Sequence, residues 1–154
     1  MWAWRGRTRF VRALDAAAVE RAIADAERRT SGEIVVSIAP FFLGRVRRAA
    51  ERTFQRLNVG HTRAKNGVLV FVVPARRAFV ILGDEGIHQA VGQGFWDALV
   101  AEVSSRFRGG DPTGGLVAAV TEVGARLATA FPHDATTDAN ELPDGLDGLR
   151  SSSR

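Results

Sequence analysis

The chain has no cysteine, a single methionine and a single lysine, Lys65. Without cysteine there is no disulfide framework, no thiolate zinc site and no cysteine nucleophile, so one class of phosphatase is excluded at once. No span has the length and apolarity of a transmembrane helix. The first twelve residues, MWAWRGRTRFVR, are basic and amphipathic, and they lack the apolar core and small-residue cleavage site of a signal peptide. Several phosphoryl-transfer motifs are also missing: the D-x-D-x-[TV] of aspartyl-phosphate enzymes, the R-H-G of histidine phosphatases and the Walker G-x-x-x-x-G-K-[ST]. Gly83-Asp84-Glu85-Gly86-Ile87-His88 comes near the G-D-x-H-G of metallophosphoesterases, but His88 stands one place too late and no second Asp/His box accompanies it. Any phosphatase chemistry would therefore be metal- or Arg-assisted attack by water.

What is present is enough for one domain. A chain of 154 residues can bury roughly two-thirds of its unfolded surface in a single core. The default expectation is a cytoplasmic protein. The net charge of +4 conceals an asymmetry: residues 1–63 hold 13 Arg against 6 acidic residues, and residues 64–154 hold 8 basic against 11 acidic ones. The front half thus offers a basic surface. The preference for Arg over Lys has two readings, GC-rich codon usage, which is the simpler, and selection for guanidinium chemistry.

The organisation follows from periodicity. Asp15 is placed to N-cap a helix starting at Ala16, with Leu14 and Val19 as a hydrophobic staple and Gly32 as its C-terminal cap. Glu33 to Ala39 reads as a strand closed by Pro40. A helix from about Gly44 to Leu57 keeps Val46, Ala49, Ala50, Phe54 and Leu57 on one face and Arg45, Arg48, Arg52 and Arg56 on another. Val68 to Val73 is too short and too β-branched for a buried helix, so it is a strand inside a covered sheet. The resulting strand-helix-strand unit implies a parallel, right-handed crossover, whereas the short Pro74–Arg77 link to the next strand forces an antiparallel hairpin. The sheet is therefore expected to be mixed. Phe95, Leu99, Val103 and Phe107, flanked by Trp96 and Val100, predict a helix ended by Arg108-Gly109-Gly110. Asp111-Pro112 opens a last helix bearing Leu116, Val117, Val120, Val123, Leu127 and Phe131, which Pro132 stops. Residues 1–13 read as a basic arm, 14–132 as the domain, and 133–154 as an acidic, largely flexible tail with one docked segment around Leu142.

Two regions carry chemistry. Gly83-Asp84-Glu85-Gly86 sets adjacent carboxylates just past a strand's C-terminal end, where open α/β sheets place ligands. His61 and Arg63, with the stripe Arg45, Arg48, Arg52 and Arg56, could bind an anion such as phosphate, since guanidinium forks match its oxygens. Each has a structural alternative. Asp84 and Asp111 are also well placed as simple helix caps, and the arginines as a solvated helix face with Glu51 as partner. Trp2 and Trp4 among Arg5, Arg7 and Arg9 could meet membrane headgroups or stack on nucleic acid, with docking on the domain or fraying as the simpler reading; peripheral membrane contact stays open and nucleic acid is the less expected partner.

The strings SGEIVVSI (31–38), AERTFQRLNVGHTRAKNGVLVFV (50–72), RRAFVILGDEGI (76–87), FWDAL (95–99), GGL (114–116), and Phe131-Pro132 followed by NELPD (140–144) occur here in order. Together they resemble the TPM domain family, in particular its short bacterial members. The resemblance implies an α/β/α sandwich, a small mixed β-sheet covered by helices on both faces. It also implies divalent-cation binding and, for some members, a proposed phosphatase activity. Other members are associated with assembly of membrane complexes, so a non-catalytic interaction or assembly module is the alternative, with a protein partner in place of a phosphate ester. Carried onto this chain, the metal candidates are Asp84 and Glu85, joined by Asp111 and Asp97 if the fold brings them near, with Ca²⁺ or Mg²⁺ as the cation. In similar chains the residue after Gly44 is commonly Asp. Here it is Arg45, which repels a cation unless it faces a bound anion.

Overall fold

The computed structural model describes residues 6–133 and the backbone of residues 146–147. The elements in chain order are α1 (Gly6–Ala13), α2 (Ala16–Glu27), β1 (Glu33–Ile38), α3 (Val46–Arg56), β2 (Gly67–Val73), β3 (Ala78–Gly83), α4 (Glu85–Arg108), α5 (Pro112–Ala130) and the two-residue β4 (Leu146–Asp147). Strand order is β3-β2-β1-β4. β1 pairs in parallel with β2, Glu33 opposite Gly67 and Ile38 opposite Val72, and β3 returns antiparallel with Gly83 opposite Val68. The mixed sheet follows from link lengths: α3 makes the crossover, while a single 3₁₀ turn at Pro74–Arg76 makes the hairpin.

Every residue of β1 and β2 is buried, which continuous apolar runs such as GVLVFVV require, because both faces are covered. The two faces are unequal. Ile34, Val36, Ile38, Val68, Val70 and Val72 point into the larger core, shared with α1, α2, α4 and α5. Val35, Leu69, Phe71 and Val73 point the other way, under α3 with Ala49, Ala50 and Val59. The arrangement is a helical layer on each side of one sheet, as expected.

Three details differ from the sequence reading. The arm at residues 1–13 includes a helix: α1 buries Phe10 completely, edge-on to Phe107 with ring centroids 5.7 Å apart. Gly32 is not the cap of α2, which ends at Glu27 with Arg28 as its C-cap. Thr30 organises that stretch instead: its hydroxyl donates to the Leu127 carbonyl at 3.0 Å and accepts the Gly32 N–H at 3.0 Å, tying the start of β1 to the end of α5. The helix over Phe95–Phe107 joins the short one before it across a kink at Gly92, whose φ of 76° suits glycine. The docked segment expected around Leu142 lies outside the described residues. The Asp15 cap and the Asp111-Pro112 start are as read, with the Asp15 carboxylate accepting the Ala18 N–H at 3.1 Å.

Candidate functional site

The acidic pair sits where β3 ends and α4 begins. Asp84 is the N-cap of α4, and its Oδ1 accepts the Glu85 N–H at 2.8 Å. Its other oxygen, Oδ2, faces Gly60, since a Cβ built there would stand 3.6 Å away. Glu85 is exposed and its carboxylate accepts the Gln89 amide at 3.3 Å. The loop at 58–66 closes over the same edge. Asn58 and Lys65 take positive φ, 58° and 53°, around a single turn at Val59–His61. The Lys65 ammonium donates to the Gly60 carbonyl at 3.1 Å. The Lys65 carbonyl accepts the N–H groups of Gly86 at 2.8 Å and Ile87 at 3.3 Å, satisfying two donors that a helix start would otherwise leave open. That seal needs a glycine: a Cβ on Gly86 would stand 2.1 Å from the Ala64 carbonyl oxygen and 2.7 Å from that of Lys65.

His88 has a structural role. Its Nδ1 accepts the Trp96 indole N–H at 3.0 Å, bridging the two limbs of α4 across the Gly92 kink.

Because β3 runs antiparallel to β2, its C-terminal end lies beside the N-terminal ends of β1 and β2. Asp84 and Glu85 therefore occupy the edge opposite the carboxyl ends of the parallel strands, where open α/β sheets hold ligands. The sequence reading took the end of β3 for that ligand edge; the hairpin reverses it.

Asp111 does not join them. It caps α5, its Oδ1 accepting the Gly114 N–H at 2.8 Å, with Arg106 Nη1 3.9 Å from Oδ2. The limb of α4 beyond the kink separates it from Asp84, and at 1.5 Å per residue that limb is about 24 Å long. Asp97 is exposed on the same helix and accepts the Gln93 amide at 2.9 Å. Among the described residues no three of His, Asp and Glu gather closely enough to hold a metal. Asp111→Ala should cost about 1 kcal/mol through its lost cap, read as a lower melting temperature, and leave any cation response unchanged.

The basic residues divide as well. Arg45, the N-cap of α3, and Arg48 and Arg52 along it are exposed and form no ion pair among the described residues, while Arg47 lies 3.5 Å from Glu51. His61 and Arg63 lie past the far end of α3, an eleven-residue helix about 16 Å long, so they do not share one anion with Arg45. Arg52 and Arg56 instead line an open cleft of about 660 Å³ beside β1, with Ser37, Phe42, Thr53 and Phe71. Carboxylates and cleft arginines thus lie at different places on the molecule.

Sequence reasoning missed the Gly60 carbonyl and the grip of Lys65 on it, which no side-chain motif encodes. It also passed over Phe41 and Leu43, 61% and 85% exposed, although an apolar run after the strand-ending Pro40 was a visible signal.

The comparisons with known proteins agree with the fold. The model of the TPM domain matches residues 7–126. A solved structure, the NMR structure of the BA42 protein from the psychrophilic bacterium Bizionia argentinensis, superposes with a TM-score of 0.78 at 36% sequence identity, covering 86% of this chain and 90% of that one. A search of the curated proteins finds no match. With the family model spanning well over half its length and the same fold seen in a relative, this chain belongs to the TPM domain family.

Proposed function

We propose that this chain is a binding module whose Asp84–Glu85 edge takes a hydrated divalent cation, Ca²⁺ or Mg²⁺, and that it does not turn over phosphate esters. One observation carries the reading: Asp111 caps α5 at the far end of the second limb of α4, so Asp84 and Glu85 stand at their edge without a third carboxylate among the described residues. Hydrolysis by metal-bound water would need a fuller carboxylate set, with a positioned general acid, around one phosphorus.

The donor set fits a loosely held cation. Ca²⁺ takes six to eight oxygens and Mg²⁺ keeps several waters, so Asp84 Oδ2, the Glu85 carboxylate and the Gly60 carbonyl would serve as a partial shell completed by water. Lys65 holds that carbonyl in the structure, so a cation competes with its ammonium. When bound, it would neutralise the paired carboxylates and tie the 58–66 loop to the start of α4.

Millimolar Ca²⁺ or Mg²⁺ should raise the melting temperature by a few degrees, as mass action on the folded state requires. Asp84→Asn should abolish the rise without harming the cap, because Asn caps a helix as well as Asp does. An unchanged melting temperature in the wild type would remove the cation from this account. On a panel of phosphomonoesters with either cation, turnover should stay at the buffer rate. Turnover that disappears with chelator and with Asp84→Asn would instead establish the phosphatase.

A further inference from the structure

The other end of the molecule, formed by the carboxyl ends of β1 and β2, is unlike the acidic edge. Three segments meet there: α1, the stretch from Ile38 to Arg48, and the β2–β3 turn. Arg7 Nε donates to the Ile38 carbonyl at 3.4 Å, and α1 packs on the turn at Pro74–Arg76. Arg76 donates to the carbonyls of Phe42 and Gly44 and stacks over the Phe42 ring at 5.3 Å. Residues 6–13, 38–48 and 73–78 contain Arg7, Arg9, Arg12, Arg45, Arg47, Arg48, Arg76 and Arg77 and not one acidic residue. Glu51, a turn further along α3, pairs with Arg47.

Among these arginines runs the loop Pro40–Gly44, held by Arg76. Phe42 turns inward against Phe71, ring centroids 6.3 Å apart, so its neighbours Phe41 and Leu43 turn out, 61% and 85% exposed. The loop is fastened from beneath by Arg76, and it holds two large apolar side chains in water instead of folding them away.

We infer that this end docks on an anionic lipid bilayer, with Phe41 and Leu43 entering the headgroup–acyl boundary and the surrounding arginines engaging lipid phosphates. The form of the surface selects the partner. Protruding apolar tips suit a soft apolar phase, and a collar of guanidiniums suits a negatively charged surface, with aliphatic stems able to accompany the apolar tips inward. A nucleic acid would match the arginines but has no place for Leu43. The inference is independent of cation binding at Asp84, which lies at the opposite edge.

The test is co-sedimentation of the full chain with phosphatidylcholine vesicles, with and without phosphatidylglycerol. Binding should require phosphatidylglycerol and fall steeply as salt rises. The pair Phe41→Ser/Leu43→Ser should weaken it by at least about tenfold at unchanged melting temperature, since both residues are exposed. Arg45→Gln/Arg48→Gln should weaken it comparably and flatten the salt dependence. Equal partition of the wild type and the Phe41/Leu43 variant would overturn insertion. Failure of the wild type to bind phosphatidylglycerol vesicles, with retention on heparin or nucleic acid, would overturn the membrane as partner.

Discussion

Replacing Phe107 with alanine should be the most damaging change in this chain, lowering stability by about 3–5 kcal/mol in denaturant titration. The ring is fully buried and is met edge-on by Phe10 from α1, at 5.7 Å, and by Phe79 from β3, at 5.4 Å. It also lies directly over Gly115 of α5, where a Cβ would come within 2.5 Å of the ring. Four elements therefore share one side chain, and none can close the void by moving alone. Since a domain of this kind is stable by only about 5–15 kcal/mol, the variant should be marginal at physiological temperature. Phe10→Ala should cost about 3 kcal/mol by the same reasoning. A loss below 1 kcal/mol there would mean that α1 adds little to the core and that the N-terminal segment acts as an arm after all.

Gly86→Ala should cost about 2–3 kcal/mol, although it adds one methyl group near the surface. That carbon meets two backbone carbonyl oxygens, not a side chain that could swing away. Relief requires the 62–66 loop to lift from α4, which breaks the bonds from the Gly86 and Ile87 N–H groups to the Lys65 carbonyl. The variant should therefore lose both stability and cation response, whereas Asp84→Asn should lose only the second. Amide exchange at Gly86 and Ile87 is the direct readout, and protection equal to wild type would contradict the argument.

Much of the fold was legible because its signals are local. The β-branched runs at 33–38 and 68–73, the length of the link between them and the short Pro74–Arg77 turn together require a mixed sheet, and that is what forms. The caps at Asp15, Asp84 and Asp111 could be read because a side chain that accepts its own helix's N–H needs no tertiary information. Direction was harder. The rule that ligands lie at strand ends depends on which strands are parallel, and the antiparallel return of β3 moved Asp84 to the opposite edge from the one its position in the chain suggested. Asp111 looked available because sequence distance says nothing of a 24-residue helix laid between two caps. Thr30 outdid Gly32 as the organiser of its turn through bonds to residues about a hundred positions away, beyond the reach of any local pattern. The basic end is an intermediate case. Its arginines were countable, but only the packing of α1 on the β2–β3 turn gathers three separate segments around Phe41 and Leu43.

The separation of the proposed cation edge at Asp84 and Glu85 from Asp111 is the central claim. It is tested most directly by titrating isotope-labelled protein with Ca²⁺ and following backbone amide shifts residue by residue. Saturable shifts should be confined to Gly60, His61, Lys65 and Gly83–Gly86 and be absent in Asp84→Asn, with residues 111–115 and the arginines of α3 unmoved. Shifts at Asp111 that titrate together with those at Asp84, or no shifts at millimolar Ca²⁺, would contradict it.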